Sequence, residues 1–336
     1  MPIDRACPVC LESEHHTIPY WGRAKLPVCP TICKSCGLVF VNPMYTDAEK
    51  EAVYPSPRAL HRPVRTGRPI QRAHDRELHA AGRFMEFVSP YLRRGDQVLD
   101  IGCGDGALIR TLRLFGAVPT GVDLDPEGAQ FIEQTYRIPV VVAPFEEARF
   151  ADAQFDAVVA THVIEHLFEP VEAMAKMRRL LKPGGLLVLE TPNVLHPKVG
   201  FRRLFSLQHN YYFSPRTLCL AMRKAGFAAI AVREFNLDSF LVAGRALEAG
   251  GEAGLPGGGP AAMPVGPKLA ATDALEPVAG DDWREIAQRI LGHDFRYKAS
   301  LQFVWRKIPG LKNAIMYRIR RDLAGESLSR WLAGAA

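Results

Sequence analysis

The stretch VLDIGCGDG at residues 98–106 decides the fold of this chain. An apolar run ends in an acid, Asp100, and a loop with a glycine at every second position follows. A second apolar run ends in another acid, Asp123, twenty-one residues after Gly102. Glycine lets a loop take positive φ and approach a ligand closely, and a helix that starts after such a loop favours an anionic group. The second acid is placed to accept hydrogen bonds from a ribose diol, so the stretch predicts a nucleotide-type pocket.

Strands and helices alternate around this stretch, across residues 95–247. Such alternation is typical of an α/β domain of the Rossmann-like type, in which helices cover both faces of a mostly parallel sheet. The last two strands are close enough to form a hairpin, which predicts an antiparallel edge strand. We predict strands over residues 98–101, 118–123, 140–142, 155–160, 186–190, 230–235 and 240–243, helices over 107–115 and 170–181, and helices that start at 126 and 215.

Four further segments flank this domain. Residues 1–46 are rich in Cys and Pro, residues 47–94 combine a linker with an amphipathic helix, and residues 248–280 form a flexible Gly/Ala/Pro linker. Residues 281–336 are read as a basic helical tail. We expect the amphipathic helix to pack against the sheet or to cap the pocket, because apolar residues recur at three- and four-residue steps: Leu78, Ala81, Phe84, Met85, Val88 and Leu92.

Charge and hydropathy exclude several classes of protein. No apolar run approaches the roughly 18 residues of a membrane span, and MPIDRACPVC lacks the apolar segment of a signal peptide. We therefore expect a location in the reducing cytoplasm. The tail holds eleven Lys/Arg and six Asp/Glu, nearly all of the net charge of +6. It either contacts an anionic membrane surface or a lipid-linked acceptor, or, as we favour, packs on the main domain or on a second subunit.

Four of the seven cysteines form two Cys-x-x-Cys pairs, Cys7/Cys10 and Cys33/Cys36. Two thiolate pairs on tight turns can meet around a tetrahedral Zn²⁺, so residues 1–46 are predicted to be a zinc-binding module. The zinc would be structural, because four thiolates leave no open coordination position. The alternatives are unpaired structural thiols, or a ligand set in which Cys29, His15 or His16 replaces one cysteine.

Five motifs in order resemble the class I S-adenosylmethionine (SAM) methyltransferases. They are the DIGCGDG loop with its downstream Val-Asp, FDAVVA at 155–160, THVIEHL at 161–167, RLLKPGG at 179–185 and ETPN at 190–193. The resemblance covers a little under half of the chain, and it implies SAM as cofactor.

The resemblance implies a role for each residue of the pocket. Asp100 would orient the loop and hold the ammonium of SAM, and Gly102, Gly104 and Gly106 would let the backbone pass over its methionine part. Asp123 would bind the ribose and Leu124 would pack on the adenine. The family usually has a polar residue after the third strand, whereas Pro144 stands here, so adenine recognition falls to the Phe145 backbone, Glu146 or water. His162 is a further cofactor-binding candidate, with packing as the alternative.

A narrower resemblance concerns the acceptor side. QHNYYFSP at 208–215 and CGLVFVNP at 36–43 resemble a methyltransferase subgroup that acts on sugars and secondary metabolites and carries an N-terminal zinc module. Sugar C-methyltransferases of this kind have Glu-His at the position of Gln208-His209. A neutral Gln cannot raise the basicity of the neighbouring imidazole, so O-transfer is preferred over C-transfer.

Methyl transfer from a sulfonium needs alignment and often a base, and imidazole is a base suited to neutral pH. The catalytic candidates are His209, His166 and Tyr212. Tyr212 and Tyr211 either orient a hydroxylated acceptor or pack against the helix that starts at Pro215. Glu190 is a weaker candidate that otherwise only ends its strand.

We therefore expect a SAM-dependent methyltransferase acting on a sugar, glycoconjugate or secondary-metabolite acceptor. The acceptor would be a small molecule or a glycan precursor, and nucleic acid is not an expected partner. Two alternatives are a zinc-ribbon nucleic-acid-binding protein whose SAM-type domain is not catalytic, and a protein that binds SAM without catalysis. Basic and aromatic residues are not interleaved around the cysteines, which disfavours the first of these.

Overall fold

The computed structural model describes residues 5–18, 28–46, 48–50, 80–196, 205–235 and 239–247. The segments at 248–280 and 281–336 lie outside these residues, as does most of the segment at 47–94. The expectations for the flexible linker and for the basic tail therefore concern residues that the structure does not describe.

A seven-stranded sheet forms the centre of the protein. Its strand order is β10-β11-β8-β7-β4-β5-β6, so the strand that carries Asp100 lies in the interior of the sheet. Strands β6, β5, β4, β7 and β8 pair in parallel, whereas β11 is antiparallel to both β8 and β10. The strands are β4 (Gln97–Ile101), β5 (Val118–Asp123), β6 (Val140–Val142), β7 (Phe155–Thr161), β8 (Leu181–Pro192), β10 (Phe227–Phe235) and β11 (Ser239–Ala246).

This topology confirms the predicted α/β class and the antiparallel pairing at one edge. The antiparallel strand itself is β11, second from the edge, and both hairpin strands are longer than the periodicity predicted. The register places Ile101 beside Val122 and Ala160, and Thr161 beside Glu190. The carboxyl ends of the parallel strands therefore meet at one edge, where ligands bind in open α/β sheets.

Within the described residues, four helices follow β4 along the chain: α1 (Ala107–Phe115), α2 (Pro126–Tyr136), α3 (Pro170–Leu180) and α4 (Pro215–Lys224). Helix α1 lies between Gly106 and Gly116, both at positive φ. Asp125 caps α2 by accepting from the Glu127 N–H, with Pro126 in the first turn, as its sequence predicted.

The strand predicted over residues 186–190 begins earlier and ends later in the structure. β8 starts at Leu181, directly after α3, and Pro183–Gly185 form an irregularity inside the strand. The pairing jumps from Phe155 with Leu181 to Ala157 with Leu186. Gly184 accommodates the irregularity at a φ of +68°.

Residues 80–88 are helical and lead into a short 3₁₀ helix at Ser89–Tyr91. Ala81, Phe84, Val88 and Leu92 are buried with the α1 side chains Leu108 and Leu112 and with strand residues of the sheet. Of the two expected roles for this amphipathic segment, packing against the sheet is confirmed, and Leu78 lies outside the described residues. No helix within the described ranges is long and apolar enough to cross a membrane.

A second sheet has the order β1-β2-β3-β9 and joins the cysteine-rich segment to the main domain. Its first three strands are β1 (His15–Thr17), β2 (Pro30–Cys33) and β3 (Val39–Val41). The fourth, β9 (Tyr211–Tyr212), comes from the far end of the chain, and pairs Phe40 with Tyr211 and Val39 with Tyr212. The sequence did not predict this pairing, because a two-residue strand carries no periodicity of its own.

Ser214 begins α4 with a capping box, in which its hydroxyl accepts from the Thr217 N–H and the Thr217 hydroxyl accepts from the Ser214 N–H. We expect Ser214→Ala to lower the free energy of unfolding by about 1 kcal/mol, because a buried helix donor loses its acceptor. Urea unfolding followed by circular dichroism measures the change. Ser13→Ala, at an exposed loop residue, is the control, and an equal loss in both variants would contradict this account of the cap.

Candidate functional site

The glycine loop between β4 and α1 lies at the carboxyl edge of the sheet. Gly102, Gly104 and Gly106 all have positive φ, at +70°, +57° and +85°. A Cβ on Gly102 would overlap the Val163 side chain, so the loop packs directly against the segment that follows β7. Both features exclude larger residues, which is the physical reason for the glycine spacing in the sequence.

Asp123, at the end of β5, holds the glycine loop in place. Its Oδ2 accepts from the Gly104 N–H at 2.8 Å and its Oδ1 accepts from the Asp125 N–H at 2.9 Å. The sequence analysis gave the orientation of the loop to Asp100. The structure corrects that assignment, because the hydrogen bond to the loop comes from Asp123.

Asp100 is fully buried at the end of β4, and neither carboxyl oxygen has a hydrogen-bond partner among the residues that the structure describes. Burial raises the pKa of Asp100 well above its usual range, and the nearby Asp123 carboxylate adds to the rise. An orphaned buried carboxyl is costly unless a bound group completes it. A cationic ammonium would do so, and the site therefore fits the role that the resemblance gave to Asp100 toward SAM.

Two exposed apolar side chains flank the far side of the loop. Leu124 is 51% exposed and Val142 is 49% exposed, both directly at the ends of adjacent strands. A large apolar side chain exposed at the ligand-binding edge of the sheet offers a surface on which a planar base can pack. The placement of Leu124 agrees with the adenine contact expected of it.

Lys176 of α3 holds the loop after β6. Its ammonium donates to the carbonyls of Phe145 at 2.6 Å, Glu146 at 2.9 Å and Ala148 at 2.7 Å, and lies 4.8 Å from the centre of the Phe145 ring. Carbonyl and N–H groups of one trans peptide point in opposite directions, so the Glu146 N–H points away from Lys176. Phe145 itself is buried, so its ring offers no exposed face to a ligand. Sequence reasoning missed Lys176, because its partners lie about thirty residues away.

Three histidines and two carboxylates gather beside the glycine loop. His162 has a φ of +55°, unusual for a residue with a side chain, and its Nδ1 lies 3.4 Å from Glu165 Oε1 and its Nε2 3.8 Å from Glu190 Oε1. Ligand atoms of Glu165, His166 and His209 all lie within 4.8 Å of one another. The rings of His166 and His209 meet edge to face with centroids 4.7 Å apart. The structure thus brings together the two histidines that the sequence named as catalytic candidates.

Glu165 is the charged centre of this group and was quoted in a motif without a role of its own. Its Oε2 accepts from the Thr191 hydroxyl at 3.1 Å, and Oε1 faces His162. Burial alone would raise the pKa of Glu165, but the nearby His162 and the charges of His166, His162 and His209 outweigh it and lower the pKa to about 2. Glu165 is therefore a carboxylate at neutral pH, surrounded by three histidines.

The tautomer of His166 follows from its partner. Its Nδ1 lies 2.8 Å from the Gln208 carbonyl, which only accepts, so Nδ1 carries the proton and Nε2 the lone pair in the neutral ring. Gln208 thus contributes through its backbone. Glu190 accepts from the Ser239 hydroxyl at 3.1 Å in addition to facing His162, so it does more than end its strand.

Both tyrosines of β9 are buried. The Tyr212 hydroxyl accepts from the Ser206 N–H at 3.0 Å and contacts the Ser206 and His209 carbonyls at 3.2 and 3.3 Å. The Tyr211 hydroxyl donates to the Phe168 carbonyl at 2.8 Å, and burial raises its pKa. With its hydroxyl engaged by backbone groups, Tyr212 supports the loop that carries His209, a role that neither of the two expectations included.

The four paired cysteines form one cluster. Cys7 Sγ lies 3.5 Å from Cys36 Sγ, Cys10 Sγ lies 3.3 Å from Cys33 Sγ, and all four sulfurs are within 4.8 Å of one another. A tetrahedral Zn²⁺ with Zn–S bonds of about 2.3 Å places its sulfurs about 3.8 Å apart, so the cluster fits that ion. Cys29 and His15 are not part of it, and His15 Nε2 instead contacts the Glu12 carbonyl.

The four thiols lie so close together that they cannot all lose their protons unless a cation binds between them. Hydrogen bonds from Cys36 and Cys7 lower the pKa of Cys33, and the hydrogen bond with Cys33 raises the pKa of Cys7 to about 12. The isolated cluster therefore keeps protons on some of its thiols. A metal ion that binds all four sulfurs would have to release those protons.

Comparison with known proteins agrees with this geometry. A family model described as a methyltransferase domain matches residues 72–232. A ubiquinone biosynthesis O-methyltransferase of Xanthomonas axonopodis pv. citri is 32% identical over 168 residues, which cover 44% of this chain and 70% of that protein. A protein of the same name from Bordetella bronchiseptica is 30% identical over 162 residues, covering 42% and 67%.

The match to a third relative is shorter. A ubiquinone biosynthesis O-methyltransferase of Xanthomonas oryzae pv. oryzae is 36% identical over 124 residues, which cover 34% of this chain and 52% of that protein, so the chain spans about half the length of this relative. A solved structure of the Burkholderia thailandensis 1,6-didemethyltoxoflavin-N1-methyltransferase is 21% identical, with a TM-score of 0.48, and covers 65% of this chain and 98% of that one. The two relatives of which the chain covers about two thirds or more show that it belongs to the class I SAM-dependent methyltransferases, and the family model agrees with them.

Proposed function

We propose that the protein transfers a methyl group from SAM to an oxygen of a sugar, glycoconjugate or secondary-metabolite acceptor. One observation carries the proposal: the orphaned carboxyl of Asp100 and the histidine–carboxylate group lie at the same edge of the sheet, joined through the contact of Gly102 with Val163. Relatives named for O-methylation support an oxygen acceptor. The sugar or secondary-metabolite class rests on the resemblance of residues 36–43 and 208–215.

The donor side of the site, formed by Asp100, Asp123 and the glycine loop, binds and orients SAM. When bound, SAM supplies an electrophilic methyl group on a sulfonium. Asp100 would ionise on pairing with the ammonium of SAM, and Asp123 has lone pairs left for a ribose diol beside the two N–H groups that it already accepts from. The N–H of Glu146, directed away from Lys176, would donate to the adenine ring.

The acceptor side removes a proton. The sulfur leaves as a neutral thioether, so no general acid is needed, and the remaining demand is a base for the acceptor hydroxyl. His209 is the base that we propose, with His166 beside it. Glu165 stays ionised and stabilises the imidazolium that forms. It thus takes the role of the carboxylate that sugar C-methyltransferases of this kind have at the position of Gln208.

The four cysteines would hold a structural Zn²⁺. Four thiolates complete a tetrahedral shell, so the ion has no position left for a substrate. Its contribution is then to the folding of residues 5–46, whose described strands are only three or four residues long.

Formation of S-adenosylhomocysteine in the presence of a panel of nucleotide sugars, free glycosides and phenols tests the reaction. We expect His209→Gln to lower kcat by about 10²- to 10⁴-fold, because the acceptor proton loses its base, while the Kd for SAM stays unchanged. His16→Gln, a substitution in β1, is the control and should leave kcat unaltered. Absence of SAM binding by calorimetry, or full activity of the His209 variant, would overturn the assignment.

Lys176→Met tests the donor side separately. Loss of the ammonium leaves three loop carbonyls without their donor, so we expect the Kd for SAM to rise roughly tenfold. Isothermal titration calorimetry measures this directly. Lys182→Met is the matched control, because the Lys182 ammonium pairs with Asp156 at the opposite end of β7, 2.8 Å away. Equal affinities of the Lys176 variant and the wild-type protein for SAM would show that the hydrogen bonds from Lys176 to the loop do not contribute to SAM binding.

Metal analysis of the purified protein should find one zinc per chain. We expect the Cys33→Ser/Cys36→Ser double variant to lose the metal, since structural zinc sites depend on all their thiolates, and hydrogen exchange over residues 5–46 to rise sharply. Cys29→Ser should keep the full zinc content. Zinc retained by the double variant, or lost from the Cys29 variant, would mean that the ligand set is a different one.

A further inference from the structure

We propose that Asn210 is a positioning residue that couples the cysteine-rich module (residues 1–46, taken here together with the helical residues 48–50 that follow) to the His166–His209 pair. The inference rests on the proposed role of these histidines on the acceptor side. The inference gives the cysteine-rich module a function beyond its own folding. The module would be needed for the acceptor side of the site and not for the donor side.

Asn210 is 2% exposed, and its side-chain amide is shared between two parts of the molecule. Its Oδ1 accepts from the Lys50 ammonium at 2.7 Å. Its Nδ2 donates to the His166 carbonyl at 2.7 Å and to the Leu167 carbonyl at 3.2 Å. One buried amide thus joins the end of the module to the segment that carries His166.

The backbone of Asn210 repeats the same connection. Its N–H donates to the Glu165 carbonyl at 2.8 Å, and its carbonyl accepts from the Val41 N–H at 2.9 Å. Val41 ends β3, and the β3–β9 pairing continues from the next residue, Tyr211. Side chain and backbone therefore hold residue 210 between the module and the segment after β7.

His209 precedes Asn210 directly, so its position depends on this attachment. Its ring lies against that of His166, whose Nδ1 in turn donates to the Gln208 carbonyl. The loop before it is fixed by Tyr212, which is itself a residue of β9. Tyr212 thus links this loop to β9, and β9 pairs with β3 of the module.

The module is anchored on the same side by cations of the main domain. Arg216 donates to the Cys36 carbonyl at 2.9 Å, and Lys224 donates to the Pro8 carbonyl at 3.2 Å. In the other direction, Arg5 donates to the Phe168 carbonyl at 3.0 Å. The first two of these bonds end at or beside a metal-binding turn, and the third reaches the segment that follows His166.

The experiment observes the two histidines directly and needs no acceptor. Histidine ring resonances are recorded in the full-length, zinc-loaded protein, with His166→Gln and His209→Gln used for assignment. Three variants are compared: Asn210→Ala, which removes both connections of the amide, Lys50→Met, which removes only the one to the module, and Glu14→Gln. The last is the control, because Glu14 is an exposed residue of the same module that lies outside both Cys-x-x-Cys turns.

We expect Asn210→Ala and Lys50→Met to shift or broaden the resonances of both histidines, and Glu14→Gln to leave them in place. The Kd for SAM should stay within roughly twofold in all three variants, which also shows that the main domain is folded. Removal of zinc by a chelator should move the same two resonances. Unchanged histidine resonances in Lys50→Met, or a loss of SAM affinity that parallels the histidine shifts, would overturn the coupling without touching the proposed methyl transfer.

Discussion

The two hydrogen bonds that Asp123 accepts, from Gly104 and from Asp125, fix the geometry on which the donor side depends. They hold the glycine loop over the carboxyl end of β4, where Asp100 is buried without a partner. Positive φ at the three glycines, and the absence of a Cβ at Gly102, let the loop pack closely against Val163. A larger residue at Gly102 would separate the loop from the segment after β7, and with it the donor side from the histidines. The fold therefore bears the cost of burying the Asp100 carboxyl without a partner, and we propose that the bound donor supplies one.

The two sides of the site are held by different means. The donor side relies on local elements, since β4, β5 and α1 follow one another in the chain. The acceptor side relies on contacts between residues more than a hundred positions apart, such as Lys50 with Asn210 and Phe40 with Tyr211. A structural metal in the cysteine cluster would stabilise this second set, because short strands cannot hold their pairing unaided. Glu165 adds the electrostatic component, a buried carboxylate among three histidines.

The sequence predicted what local pattern encodes. Val98–Ile101, the glycine loop, Asp123, the cap of α2 and the four cysteines of the cluster could all be read from spacing and residue type. Elements that depend on distant partners could not. The strand β8 begins as early as Leu181 because Leu181 pairs with Phe155 of β7. The short strand β9 forms because it pairs with β3. Lys176 donates hydrogen bonds to carbonyls of a loop that is distant in the sequence. The orientation of the glycine loop was assigned to Asp100 instead of Asp123. The sequence places both acids at strand ends and does not show which of them forms hydrogen bonds with the loop.

A crystal structure of the protein bound to S-adenosylhomocysteine tests the central claim most directly. The account predicts that the amino group of the ligand lies within hydrogen-bond distance of Asp100, that the ribose hydroxyls contact Asp123, and that the adenine packs by Leu124 with an N–H of the 145–146 loop directed at it. Density for the ligand elsewhere, or a bound ligand that leaves the Asp100 carboxyl without a partner, would contradict the account.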